Sequence, residues 1–206
     1  MAVEIEKFIQ KNRIQVIVGI LVIMAAPIGY GVYNNFKGKK NAEYADRVFS
    51  FSKKELKELK ESTLKPSEFI NHFSGLLKEI SYNNSGLIVL LEAAEVMVEK
   101  KDLVSAKEIL EIGKSNYTSD YEKILIGLRL SAVYEDLGEN DKAIDLLEDL
   151  ASSKVKILEG KVNLDLGRLY KKVNNPAKAK EKFEYVLNNF DEEVYKKLAQ
   201  LNLSNK

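Results

Sequence analysis

The spacing of hydrophobic positions changes twice along this chain. From Ile14 to Tyr33 they run almost without a break, IQVIVGILVIMAAPIGYGVY, with Gln15 the only clearly polar side chain. At about 1.5 Å rise per residue such a run spans roughly 30 Å, the hydrocarbon thickness of a bilayer, and predicts a transmembrane helix over 14–33. Tyr30 and Tyr33 stand where interfacial aromatics belong, and Pro27 predicts a kink in the outer third. Two other readings stay open. A buried core helix is rarely apolar all round, and a cleaved signal peptide usually has an apolar region of about 7–15 residues. Lys7, Lys11 and Arg13 precede the run while Lys37, Lys39 and Lys40 follow it, so the positive-inside bias is nearly tied. The long following domain tips the balance slightly towards an inside N-terminus.

Beyond the run the spacing becomes helical. Ala42, Ala45, Phe49, Ser52, Leu56 and Leu59 recur at alternating intervals of three and four, predicting a juxtamembrane helix with a narrow apolar stripe. Pro66 opens the next helix, with Phe69, Phe73, Leu76, Leu77 and Ile80 on its apolar face. From Leu87 the pattern repeats. Ala106, Ala143 and Ala179 fall at equivalent points, 37 and 36 residues apart. Leu110, Leu147 and Phe183 follow them by four residues, and Met97, Tyr134 and Tyr170 precede them by nine. A small residue lets two helices cross closely and the large one fills the gap to a neighbour, the alternation of a tetratricopeptide repeat with its period of about 34 residues.

Boundary chemistry agrees. Asn175-Pro176 reads as an N-cap with proline in the first turn, Ser119 and Glu122 have capping-box spacing, and Asp102 and Asn140 can cap second helices. A last helix with Val194, Leu198 and Leu201 is expected to cover the end of the stack. The expected fold is all-α: one transmembrane helix, then a tetratricopeptide-repeat-like α-solenoid of about three degenerate repeats plus a capping helix. Its parts are a charged tail at 1–13, the span at 14–33, a juxtamembrane and irregular helical segment at 34–86, and the repeats with their cap at 87–206.

Charge sharpens the picture. The chain has a formal net charge of +1, but residues 1–40 hold an excess of four positive charges, leaving residues 41–206 with 26 basic and 29 acidic side chains. A slightly acidic body argues against nucleic acid, which requires a clustered basic face. Catalytic readings fail on inventory. There is no cysteine and a single histidine, His72, so no common zinc site can be assembled, and neither glycine-rich phosphate motif occurs. No enzyme activity, cofactor or small-molecule substrate is expected.

Binding is expected on the first helix of each repeat, which lines the concave side of such a stack. The positions are Ile88, Leu91, Glu95, Val98 and Glu99, then Leu125, Leu128, Ala132, Glu135 and Asp136, then Lys161, Leu164, Arg168, Lys171 and Lys172. This groove is apolar along one side, acidic over two repeats and basic over the third. Solubilising charge is the plain alternative. The abundance of apolar residues and the change of sign suit a partner segment with a preferred direction. No basic clamp for a C-terminal carboxylate is present, because Leu91, Glu95 and Glu99 occupy its positions.

The order of parts also matches a known family. Glu6-Lys7-Phe8 leads into one span, an irregular helix ends near Asn83-Asn84-Ser85-Gly86, and Leu90-Leu91-Glu92-Ala93-Ala94 opens the repeats. Ile126-Gly127-Leu128-Arg129-Leu130-Ser131 and Leu137-Gly138-Glu139-Asn140-Asp141-Lys142-Ala143 continue them. The chain resembles the YfgM-like family of ancillary SecYEG translocon subunits, bitopic bacterial inner-membrane proteins with a periplasmic tetratricopeptide-like domain. The resemblance implies the SecYEG channel and a membrane-anchored periplasmic chaperone of the prolyl-isomerase class as partners, with the N-terminus cytoplasmic and the C-terminal domain periplasmic. A structural scaffold of another envelope machine for secretion, motility or division is the alternative, and a cleaved, soluble periplasmic binder a third.

Overall fold

The structure, a computed structural model, describes residues 34–204, so the span expected at 14–33 lies outside the described residues. The chain divides into two compact units, Met1–Arg47 and Val48–Lys206. In the first, residues 34–47 are helical and exposed except for Tyr44. Ala42 and Ala45, expected on an apolar stripe, face solvent. Among the described residues no helix is long and apolar enough to cross a membrane.

The second unit is a right-through succession of helices. Helical residues 48–60 are followed by α1 (Pro66–Glu79), α2 (Asn84–Glu99), α3 (Leu103–Asn116), α4 (Asp120–Asp136), α5 (Asn140–Ser152), α6 (Glu159–Lys172), α7 (Pro176–Asn189) and α8 (Glu193–Ser204). The pairs α2–α3, α4–α5 and α6–α7 are the three expected hairpins, each helix packing on the next. The unit begins at Val48, so residues 48–86 belong with the repeats rather than apart from them.

Small residues set the helix crossings. Ala106 and Ala143 are fully buried and Ala179 nearly so. Across from Ala179, a Cβ added at Gly167 would stand 2.6 Å from Phe183 Cε1, so that helix pair closes only on glycine. The turns repeat as faithfully. Lys101, Gly138 and Asn174, each five residues before its alanine, have φ of 65, 78 and 58°. The following amides bond back to Met97, Tyr134 and Tyr170 carbonyls at 2.8–2.9 Å, the Schellman closure that satisfies helix-end acceptors. Asp102, Asn175 and the Ser119–Glu122 capping box cap α3, α7 and α4 as expected. Asn140 does not cap α5. Glu139 occupies the cap position without a side-chain cap bond, and the buried Asn140 Oδ1 has no hydrogen-bond partner.

An additional hairpin precedes the three. Ser62 takes the same left-handed turn conformation at φ 62°, with Thr63 N bonding Glu58 O at 2.9 Å. Helix 48–60 packs on α2 and α1 on α3, continuing both layers. Phe51, Phe69 and Phe73 fill this hairpin with ring centroids 5.4–5.7 Å apart, so aromatic rings hold the helices where the other hairpins use alanine. The expected stripe fails here for a local reason. Residues Ser52–Leu56 form a π-helical turn, so the core-facing sequence runs Val48, Phe51, Leu56, Leu59, with a step of five across that turn. Phe49, expected inside, is 61% exposed.

α8 also differs from expectation. Tyr195 packs on α6, where a Cβ at Gly160 would meet its ring at 2.7 Å, and Ala199 is buried. That contact turns Val194, Leu198 and Leu201 outwards, at 67, 44 and 55% exposure, so they do not cover the stack.

Two substitutions of opposite sign test this frame. Ala143→Leu overpacks the second crossing and is expected to cost about 1–3 kcal/mol. Lys101→Gly relieves a left-handed lysine and is expected to stabilise by roughly 0.5–1 kcal/mol. Thermal unfolding followed by circular dichroism reads both. An unchanged melting temperature in either variant would contradict the repeat register.

Candidate protein-binding face

The first helices α2, α4 and α6, flanked by helix 48–60 and α8, present one succession of side chains. α2 touches α4, and α6 touches α8. Ile88 is 70% exposed, and Glu95, Glu99, Asp136, Lys161, Arg168, Lys171 and Lys172 are exposed as well. Leu91, Leu125, Leu128 and Glu135 are half-buried, while Leu164 is buried. Of the expected positions, Glu135 is brought together with Arg168 and Lys172 across neighbouring first helices.

The charges on this face are spent partly on each other. Lys60 bonds Glu92 at 2.5 Å, Arg129 meets Glu95 at 3.4 Å, and Arg168 grips both oxygens of Glu135 at 2.5 and 2.6 Å. Lys172 reaches the same carboxylate at 3.1 Å, and Lys171 Nζ donates to the Asn202 carbonyl at 3.2 Å. Two of these bonds follow one rule. Glu95 stands eleven residues before Ala106 and Arg129 fourteen before Ala143; Glu135 stands eight before Ala143 and Arg168 eleven before Ala179. Each pair is offset by three residues, so neighbouring first helices pack shifted by one turn. The acidic repeats and the basic repeat are thereby joined, with Arg129 a participant that the aligned positions alone did not reveal. Hydrogen bonding to Arg168, then to Lys172, holds the Glu135 carboxyl below its ordinary value, against the opposing effect of burial.

A second series ties each repeat to the one before it. Tyr134 Oη donates to Glu111 at 2.9 Å, and Tyr170 donates to Glu148; both glutamates stand five residues after their repeat's alanine. Lys142 and Lys178 lie over these two rings, 5.7 and 4.8 Å from the centroids. Burial and the Glu111 bond push the Tyr134 hydroxyl up to about 12. His72 is exposed and bonds Glu55 at 2.6 Å, joining α1 to helix 48–60.

At its far end the face deepens into a cleft of about 320 Å³ between α6 and α8, lined by Lys161, Leu164, Asp165, Arg168, Tyr195, Leu198 and Asn202. Its α8 residues are absent from the sequence-derived set because α8 reads as a lid, not as a further first helix. Another cleft, about 460 Å³, lies around Ile124, Leu146 and Leu150. It is confined to α4, α5 and the end of α3, whereas an extended partner needs the face that crosses every repeat. Among the described residues no group of His, Cys, Asp or Glu is arranged to hold a metal ion.

The tetratricopeptide repeat-like domain family matches residues 6–205. An ancillary SecYEG translocon subunit of Aggregatibacter actinomycetemcomitans is 25% identical over 167 residues, covering 81% of this chain and 74% of that protein. A tetratricopeptide repeat protein from Parabacteroides merdae superposes with a TM-score of 0.55 at 17% identity, over 80% of this chain; the chain spans 59% of that structure. The last likeness is one of fold.

The charge ladder has a pH signature. A carboxyl held below its unfolded value contributes stability that is complete above the ordinary carboxylate range and is lost as pH falls through the depressed value. Glu135, Glu139 and Glu148 are all shifted in that direction, by Arg168, Lys142 and Tyr170 respectively as the first cause. The melting temperature is expected to fall on acidification below the ordinary value near 4.5. Glu135→Gln should make that fall shallower. Equal acid limbs in the wild type and the variant would show that the Arg168–Glu135 bond adds nothing.

Proposed function

Since the chain belongs to the tetratricopeptide repeat-like domain family, we propose that it is a membrane-anchored protein-interaction module acting as an ancillary subunit of the SecYEG translocon. The observation that carries this reading is the first-helix face: exposed Ile88 and recessed Leu91, Leu125 and Leu128, crossed by paired charges from helix to helix. Ile88 at 70% exposure and the half-buried leucines leave apolar surface on these helices for a partner to cover. The translocon assignment leans on the relative from Aggregatibacter actinomycetemcomitans and on the order of parts in the sequence.

Residues 14–33 are the anchor, a single span with the N-terminus cytoplasmic and the repeats in the periplasm of a bacterial inner membrane. A membrane-anchored periplasmic chaperone of the prolyl-isomerase class is the second partner, brought near the channel exit by the repeats. The chain binds and positions and carries out no catalysis. A scaffold role in another envelope machine predicts the same fold with different co-purifying proteins.

Purification in mild detergent is expected to recover SecYEG components with the wild-type chain. Ile88→Glu with Leu128→Glu, both on the face, should reduce recovery about tenfold or more while the helical signal is unchanged. Protease added to spheroplasts should digest the repeats. Recovery of a different machine would favour the scaffold reading, and protection from protease would reverse the topology.

A further inference from the structure

The face ends against a helix that leaves a leucine in the open. Leu198 is 44% exposed on α8 and, with Tyr195 and the buried Leu164 of α6, lines the 320 Å³ cleft as its apolar part. Such a volume lies at the lower end of the roughly 300–1,000 Å³ typical of ligand pockets, room for a large side chain and the residues beside it. The charges around it differ in how firmly they are held. Arg168 is fixed by two bonds to Glu135. Lys161 is 49% exposed and pairs at 2.8 Å with Asp165, four residues along its own helix. A surface pair of that kind adds little, so Lys161 can exchange Asp165 for an incoming carboxylate at little loss. Two cations and one carboxylate line the cleft, and Lys171 and Lys172 extend the positive side along α6.

We propose that this cleft anchors the protein partner, taking one large apolar side chain from a segment whose neighbouring residues are acidic, with Lys161 meeting the carboxylate. The proposal rests on the reading of the first-helix face as a protein-binding surface and assigns the end of that face its specificity. Exposed Asp136 on the α4 side repels the partner's acidic residues, so the segment enters from the α8 end. Leu198 is available to this occupant, since Tyr195 and the buried Ala199 supply the contacts of α8 with the stack.

The test uses the full chain in mild detergent and a short fluorescent peptide with one phenylalanine flanked by glutamates in a serine–glycine background. Anisotropy is expected to show binding. Replacing the glutamates by glutamine or the phenylalanine by alanine should each weaken it about tenfold. Leu198→Glu should weaken it at least as much, whereas Gln200→Glu, the same charge added on α8 outside the cleft, should bind as wild type. Lys161→Ala should lose affinity for the glutamate peptide but not for the glutamine peptide. Absence of binding to the wild-type chain, or indifference to Leu198→Glu, overturns the proposal. So does a dimer that Leu198→Glu dissociates, which would give the cleft to a second copy. Co-purification separates this failure from that of the parent reading. If Ile88→Glu loses the partner and Leu198→Glu keeps it, the face binds and the cleft does not; if both keep it, the face itself is not the binding surface.

Discussion

Close approach of two helices at a buried small residue is the constraint on which the rest of this structure depends. Ala106 and Ala143 are fully buried and Ala179 nearly so, and at Gly167 even a methyl group would collide with Phe183. Once these three hairpins are closed this way, stacking on a neighbouring hairpin becomes the way to bury their outer surfaces. The left-handed residues Lys101, Gly138 and Asn174 keep every turn alike, so successive first helices arrive in the same orientation and with the same one-turn offset.

That regularity makes electrostatics cooperative along the stack. The Tyr134–Glu111 and Tyr170–Glu148 bonds join consecutive repeats on one side, and Arg129–Glu95 and Arg168–Glu135 join them on the other. Most of these groups are partly exposed, where single ion pairs contribute little, so their role is to fix register more than to hold the fold. A fixed register also keeps the half-buried Leu91, Leu125 and Leu128 at constant positions relative to one another.

Legibility in the sequence followed the same physics. The three hairpins were visible because a crossing alanine, its large follower and a capping residue recur at nearly constant spacing. The hairpin before them was hidden, because Phe51, Phe69 and Phe73 do by bulk what alanine does by its absence, and because a π-helical turn breaks the 3.6-residue period of helix 48–60. The candidate face was readable from the alanine register only as a set of positions, without Arg129 and those of α8. Its pairings were not, because Arg129 and Arg168 find partners three positions displaced in the preceding repeat. α8 misled for a different reason. Val194, Leu198 and Leu201 form a proper helical stripe, yet the small Gly160 opposite attracts Tyr195, and the ring's larger contact sets the rotation of the helix.

The central claim is that the first helices, and not the second, are the surface that meets another protein. Site-specific photocrosslinking in living cells addresses it directly, with a photoreactive residue placed in turn at Leu125 and Leu128 on α4, and at Val104 and Glu181 on the exposed sides of α3 and α7. The account predicts adducts to a membrane or translocon protein from the α4 positions and none from α3 or α7. Adducts confined to Val104 and Glu181 would contradict it.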